Sequence, residues 1–133
     1  MSDQSINPDL EKWLKFCDED LRAADATFKD NVFSAVCFHA QQAAEKAIKA
    51  IVLIKSGKVP RDHSLLRLAE MSGDKELFEL HKEELGFLDM FYVPTRYPDA
   101  LPGSLPEGLP NKEDAEKAVV YAKKVVEFIK KRL

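Results

Sequence analysis

Apolar residues recur every three or four positions along most of the chain, the spacing that places side chains on one face of an α-helix. The first stripe covers residues 10–28 and follows Asn7-Pro8, a pair suited to the N-cap and the first turn of a helix. A second stripe, rich in alanine, covers residues 32–55, and we expect Asp30 and Asn31 to cap this helix. Since alanine lets neighbouring backbones approach closely, we expect the second helix to be central.

Three more helical segments follow in the sequence. A short one is expected at about 64–71, a longer one at about 74–92, and the last begins at Asn111, with Asp114 completing a variant of the capping box. No segment alternates with period two over the length of a strand. We therefore predict an all-α fold, an antiparallel up-and-down helical bundle of four long helices plus one short helix, in a single domain over residues 1–133.

A proline-rich segment separates the fourth and fifth predicted helices. Each proline there lacks a backbone N–H and blocks helix propagation, so residues 93–110 cannot be a further helix. A connection of this length within a compact domain is uncommon, and is usually functional or disordered. We predict one extended strap across the bundle.

Composition restricts the protein class. The chain has 133 residues, of which 45% are hydrophobic and 32% charged, as expected for one globular domain. Its net charge of −3 does not indicate a general nucleic-acid coat, although a local basic site remains compatible with it. The N-terminal residues do not resemble a secretion signal and no apolar run could span a bilayer, so we predict a cytoplasmic protein without membrane contact. Cys17 and Cys37 are predicted to be reduced core thiols.

The second predicted helix carries a line of polar side chains. His39, Gln42, Lys46 and Lys49 follow at steps of three, four and three residues and share one face, with Glu45 beside them. One interpretation is a solvated face with a Glu45–Lys49 ion pair. The other is that the line faces a cleft or a partner.

The beginning of the strap offers a second group of candidates. Arg96 and Tyr97 lie between two prolines that restrict the backbone, and Asp99 follows them. A guanidinium beside a phenol suits a phosphate or a stacked base. It also suits a plain surface anchor, in which the tyrosine packs on the bundle.

The histidines do not indicate a metal centre. We expect His63, at the start of the third helix, to be a cap or a packing contact, and His81 to be solvated. Their spacing does not place two metal ligands on one helix face, and no glycine-rich phosphate loop is present. The sequence therefore predicts no metal and no cofactor, and it assigns no catalytic residue.

Three separated segments resemble the HEPN domain family: CFHAQQAAEKAIK at 37–49, DHSLL at 62–66 and TRYPD at 95–99. The resemblance covers nearly the whole chain and implies an antiparallel helical bundle, usually a homodimer. Many such proteins are ribonucleases, and prokaryotic ones are often encoded beside a minimal nucleotidyltransferase as a toxin–antitoxin pair. A nucleotide-binding role is also implied by the resemblance.

One departure from the family concerns catalysis. The ribonuclease members share an arginine followed, after four to six residues, by a histidine, and no arginine of this chain has a histidine at that distance. We therefore predict a homodimer that binds a nucleotide or RNA in a polar cleft, or acts with a nucleotidyltransferase partner in a toxin–antitoxin type system, or does both. The alternative is a divergent metal-independent ribonuclease. The candidate ligand-binding residues are His39, Gln42, Glu45, Lys46, Lys49, His63, Arg96, Tyr97 and Asp99.

Overall fold

The computed structural model describes residues 8–92 and 108–133, and this part of the chain forms five α-helices. They are α1 (Pro8–Lys29), α2 (Phe33–Ser56), α3 (Leu65–Ser72), α4 (Lys75–Asp89) and α5 (Lys112–Lys130). Four helices are long and α3 is short. The predicted all-α fold is confirmed.

The long helices alternate in direction. Asp18 of α1 pairs with Lys130 of α5 at 2.6 Å, whereas Asp25 pairs with Lys123 at 3.3 Å, so α1 and α5 run in opposite directions. A short turn reverses the chain between α1 and α2. Ring contacts show the same opposite order for α4 and α5: Phe87 with Tyr121 and His81 with Phe128.

α2 is the central helix, as its alanine content predicts. It contacts each of the other four helices, most extensively α1 and α5. Its alanines at 40, 43, 44 and 47 have no exposed surface. Because these side chains end at Cβ, neighbouring helices can approach the α2 backbone closely on this face.

The start of α2 differs from the prediction. Neither Asp30 nor Asn31 caps the helix: the N-cap position is Val32, which makes no side-chain capping bond. Asn31 instead has φ of 61°, in the left-handed region that asparagine tolerates better than most residues. Its role is to turn the chain between α1 and α2.

α4 ends at Asp89, three residues before the predicted end, and the Asp89 carboxylate forms hydrogen bonds with the start of α3. Asp89 Oδ1 accepts from the Leu65 amide at 2.7 Å, and Oδ2 accepts from the Leu66 amide at 3.3 Å and the Ser64 hydroxyl at 3.2 Å. Burial raises the pKa of Asp89, while these hydrogen bonds oppose the shift. The end of α4 is thereby fastened to the start of α3.

Cys17 and Cys37 are free and fully buried, as predicted. Burial raises the pKa of each thiol to about 12, so both stay protonated at neutral pH. The prediction of a solvated His81 is wrong: its ring packs edge-to-face on Phe128 with 4.8 Å between ring centres, at the contact of α4 with α5.

Most of the predicted strap, residues 93–107, lies outside the described residues, so its extended form stays a prediction. Within the described ranges, no helix combines the length and apolar character that crossing a membrane requires.

Candidate functional site

A buried carboxylate, Glu45 of α2, is in hydrogen-bond contact with side chains from two parts of the chain. Its Oε2 accepts from Lys49 Nζ at 2.9 Å and lies 3.1 Å from His63 Nδ1, while its Oε1 accepts from Gln41 Nε2 at 3.2 Å. The side chains of Glu45 and Lys49 are each only 7% exposed. This half of the polar line is therefore enclosed, and the interpretation as a solvated ion pair is wrong for it.

The contact with Glu45 fixes the orientation of the His63 ring. Because an ionised carboxylate only accepts hydrogen bonds, Nδ1 carries the proton and the neutral ring has its lone pair on Nε2. The ring also stacks nearly parallel to Tyr92, with 4.9 Å between the centres and 12° between the planes. The His63 side chain is nevertheless 46% exposed, so the ring is held in place while part of it meets solvent.

The residues on either side of His63 start α3 and thereby position the ring. Ser64 is the N-cap, and its side chain accepts from the Arg67 amide at 3.3 Å. Asp62 accepts from the Ser64 amide at 2.9 Å and binds the Arg67 guanidinium through two bonds of 2.7 and 3.0 Å. This guanidinium lowers the pKa of Asp62 to about 2. Two residues of the DHSLL segment thus make the helix start, and the histidine between them reaches α2.

A cleft of about 360 Å³, here called the α3 cleft, opens beside this helix start. Its lining residues are Arg61, Asp62, His63, Ser64, Arg67, Asp89 and Tyr92. Arg61 is exposed, and its guanidinium has no partner among the described residues. The cleft therefore offers an unpaired guanidinium next to a stacked pair of rings.

A second carboxylate, Asp20 of α1, collects two other members of the polar line. Its Oδ1 lies 2.9 Å from His39 Nδ1, and its Oδ2 accepts from Lys46 Nζ. Asp20 is nearly buried, and the ring of Phe16 lies 5.9 Å from the Lys46 ammonium. His39 and Lys46 are thus held against α1.

The predicted polar line of α2 therefore divides into two clusters, each centred on a carboxylate. His39 and Lys46 belong to Asp20, whereas Lys49 and His63 belong to Glu45. Gln42 joins the second cluster indirectly, because its amide donates to Gln41 Oε1 at 2.7 Å. The candidates Arg96, Tyr97 and Asp99 lie outside the described residues, so their part in a shared recess stays a prediction.

The candidate residues predicted from the sequence did not include four members of these clusters: Asp20, Gln41, Arg61 and Tyr92. A signal existed for the first two. Asp20 interrupts the apolar stripe of α1 at a core position, and Gln41 follows the buried Cys37 by four residues, which places it on the core side of α2. No local pattern distinguishes Arg61 or Tyr92, since the packing of α3 against α4 brings them together.

The described residues contain no cluster of three or more His, Cys, Asp or Glu side chains that could hold a metal ion. The two histidine–carboxylate pairs instead use protein cations as counter-charges. Chemically, such pairs can donate or accept hydrogen bonds and transfer protons.

The HEPN domain family model matches residues 10–133. The chain therefore belongs to the HEPN domain family, as the three sequence segments predict.

Individual relatives agree with this assignment over almost their whole lengths. A protein of Methanocaldococcus jannaschii described as "Putative toxin MJ1304" is 33% identical over 143 residues, covering 98% of this chain and 92% of that protein. The crystal structure of TT1696 from Thermus thermophilus has a TM-score of 0.71 and 32% identity, over 93% of this chain and 98% of that one. The crystal structure of ST0689, an archaeal HEPN homologue, has a TM-score of 0.70 and 28% identity, over 92% and 96%.

The buried Glu45–Lys49 pair predicts a non-additive effect on stability. Lys49→Met should lower the free energy of unfolding by about 3 kcal/mol, because it leaves a buried carboxylate without its main counter-charge. The double variant Glu45→Leu/Lys49→Met should lose less than the sum of the two single variants, although Gln41 and His63 then lack an acceptor. Urea unfolding followed by circular dichroism measures the free energy of unfolding of Lys49→Met, Glu45→Leu and the double variant.

The control is Lys82→Met, which removes an exposed partner of Glu79 at 3.8 Å and should change stability by less than about 1 kcal/mol. Additive losses from the two single changes would show that Glu45 and Lys49 do not act as a pair.

Proposed function

We propose that this HEPN protein binds a nucleotide or RNA in the α3 cleft, as a homodimer that acts with a nucleotidyltransferase partner in a toxin–antitoxin system. The observation that carries the binding proposal is the exposed Arg61 guanidinium beside the stacked rings of His63 and Tyr92. An unpaired guanidinium binds phosphate oxygens through directed hydrogen bonds. Aromatic rings at the edge of a basic groove provide surfaces on which bases stack.

The proposed biological role has separate support. The Methanocaldococcus jannaschii relative is described as a "Putative toxin", and it matches this chain along almost its whole length. The nucleotidyltransferase partner is proposed from the family resemblance alone.

The proposed homodimer rests on the family resemblance and on aromatic residues in and next to α4. In the single chain, Phe91 and the α2 alanines at 40, 43, 44 and 47 have no exposed surface. Phe78, Phe87 and Tyr92 are only half-buried, so part of each ring is available to a second copy.

The binding proposal predicts a thermal shift that depends on Arg61. A nucleotide or short RNA present at ten times its dissociation constant should raise the melting temperature by about 5 °C. Arg61→Ala should weaken binding about tenfold by removing the charge-assisted bonds to phosphate. Differential scanning fluorimetry against a panel of nucleotides and short RNAs measures both effects.

Arg22→Ala is the matched control, since Arg22 is also exposed but lies on α1. The increase in melting temperature that the ligand causes in Arg22→Ala should equal the increase in the unsubstituted protein. If no nucleotide or RNA raises the melting temperature, the binding proposal is wrong. Arg96→Ala in the same assay tests the prediction made for the strap.

Partnership and assembly can be measured together. Co-expression with the neighbouring gene should yield a stable complex if that gene encodes a nucleotidyltransferase, and light scattering on the purified chain alone should give twice the mass of 15.1 kDa. A monomer at micromolar concentration would contradict the homodimer, and separate elution of the two products would contradict the partnership.

Ribonuclease activity is the second candidate function, and the Glu45–His63 pair favours it. The lone pair of a neutral His63 Nε2 could take the proton of a ribose 2′-hydroxyl, the step that starts metal-independent RNA cleavage. Purified protein with chelator should then cleave RNA, and His63→Asn should cleave it at least a hundredfold more slowly. Equal cleavage by the variant would assign the activity to other residues or to a contaminant.

A further inference from the structure

The charges around His63 largely compensate one another. Beneath the ring, the Lys49 ammonium pairs with the Glu45 carboxylate, at 2.9 Å. On the α3 side, the Arg67 guanidinium pairs with Asp62, at 2.7 Å. Neither pair contributes much net charge to the cleft.

The other titratable groups that line the cleft come from α4 and from the segments next to it. The Asp89 carboxylate is directed at the backbone amides that start α3, and Tyr92 contributes an aromatic face to the His63 ring. This leaves Arg61 as the cation of the α3 cleft that has no partner in the described part of the chain. Protonation of His63 therefore adds one positive charge beside the unpaired Arg61.

We propose that Arg61 and His63 together bind one phosphodiester group, and that His63 must take up a proton to do so. The inference rests on the proposed nucleotide or RNA binding and specifies how that binding is regulated. In the neutral ring, Nε2 has a lone pair that repels a phosphate oxygen, whereas the protonated ring donates a charge-assisted hydrogen bond from the same atom. Nδ1 stays bonded to Glu45 in both forms, so the ring need not reorient.

The direction of the pH dependence follows from this arrangement. Imidazole is the side chain whose charge changes within the physiological pH range. Phosphodiester binding should therefore weaken as the pH rises from 5.5 to 8.0. Replacing a neutral contact by a charge-assisted one makes binding about tenfold tighter.

The probe must not titrate in the same range. A uridine dinucleotide with 2′-O-methyl riboses has one phosphodiester, which keeps a single negative charge, and it cannot be cleaved through the 2′-oxygen. Isothermal titration calorimetry of the full chain from pH 5.5 to 8.0, at constant ionic strength, gives the dissociation constant at each pH.

Two variants distinguish His63 from other groups. In His63→Asn, the side-chain amide can still donate to Glu45 but cannot gain a proton, so the tenfold dependence on pH should disappear. His81→Asn is the matched control, because His81 is also near a carboxylate, Glu84 at 3.6 Å, but packs on Phe128 of α5. The His81→Asn variant should keep the full tenfold dependence of binding on pH.

A third variant tests the role of the buried lysine. Lys49→Met removes the cation that neutralises Glu45, so His63 becomes the remaining ion-pair partner of this carboxylate. The carboxylate then favours the protonated ring more strongly. The pH of half-maximal binding should therefore rise. If this variant does not fold, His63→Asn still decides the question.

The possible results separate this inference from the function on which it rests. Binding by the unsubstituted chain that tightens about tenfold towards pH 5.5, with a flat profile for His63→Asn, supports the inference. Binding with the same pH profile in both proteins overturns it but leaves nucleotide binding intact. No binding of the dinucleotide at any pH overturns both the inference and phosphodiester binding in the α3 cleft.

Discussion

The arrangement of the candidate site depends on one buried carboxylate. Glu45 is an ionisable residue of the central helix, and it is enclosed together with its lysine partner. A buried charge is costly unless it is paired and its remaining acceptor sites receive hydrogen bonds. Lys49 and Gln41 meet this requirement from within α2, and His63 meets it from the segment that precedes α3. The contact between His63 and Glu45 therefore holds the start of α3 against α2.

The start of α3 is held from the opposite side by Asp89. This carboxylate accepts two backbone amides and the Ser64 hydroxyl, so it satisfies groups that a helix N-terminus leaves without partners. An isolated helix of eight residues is marginal in water, and the position of α3 therefore depends on such tertiary bonds. The contact with Glu45 and the stacking on Tyr92 leave the His63 ring little freedom to move. A pre-positioned ring loses less entropy when it binds a ligand than a mobile one does.

The same chemical unit occurs twice along α2. Asp20 holds His39 and Lys46 much as Glu45 holds His63 and Lys49. The difference lies in the surroundings: His63 borders a cleft that also contains an arginine and a tyrosine, while His39 lies against α1 and packs on the ring of Phe38. Each histidine–carboxylate pair thus joins two different segments of the chain.

The sequence alone was sufficient for the helices and for the family. The three- and four-residue spacing of apolar side chains is a local property, and so are the alanines that make α2 central and the capping box of α5. His39, Glu45, Lys46, Lys49 and His63 could be selected as polar residues, and the four-residue spacing indicated the Glu45–Lys49 pair. The tertiary structure decided that His39 and Lys46 pair with Asp20, that His63 pairs with Glu45 and that Arg61 lies near Tyr92. These contacts join residues of different helices, and their geometry depends on how the helices pack, which no spacing along one helix specifies.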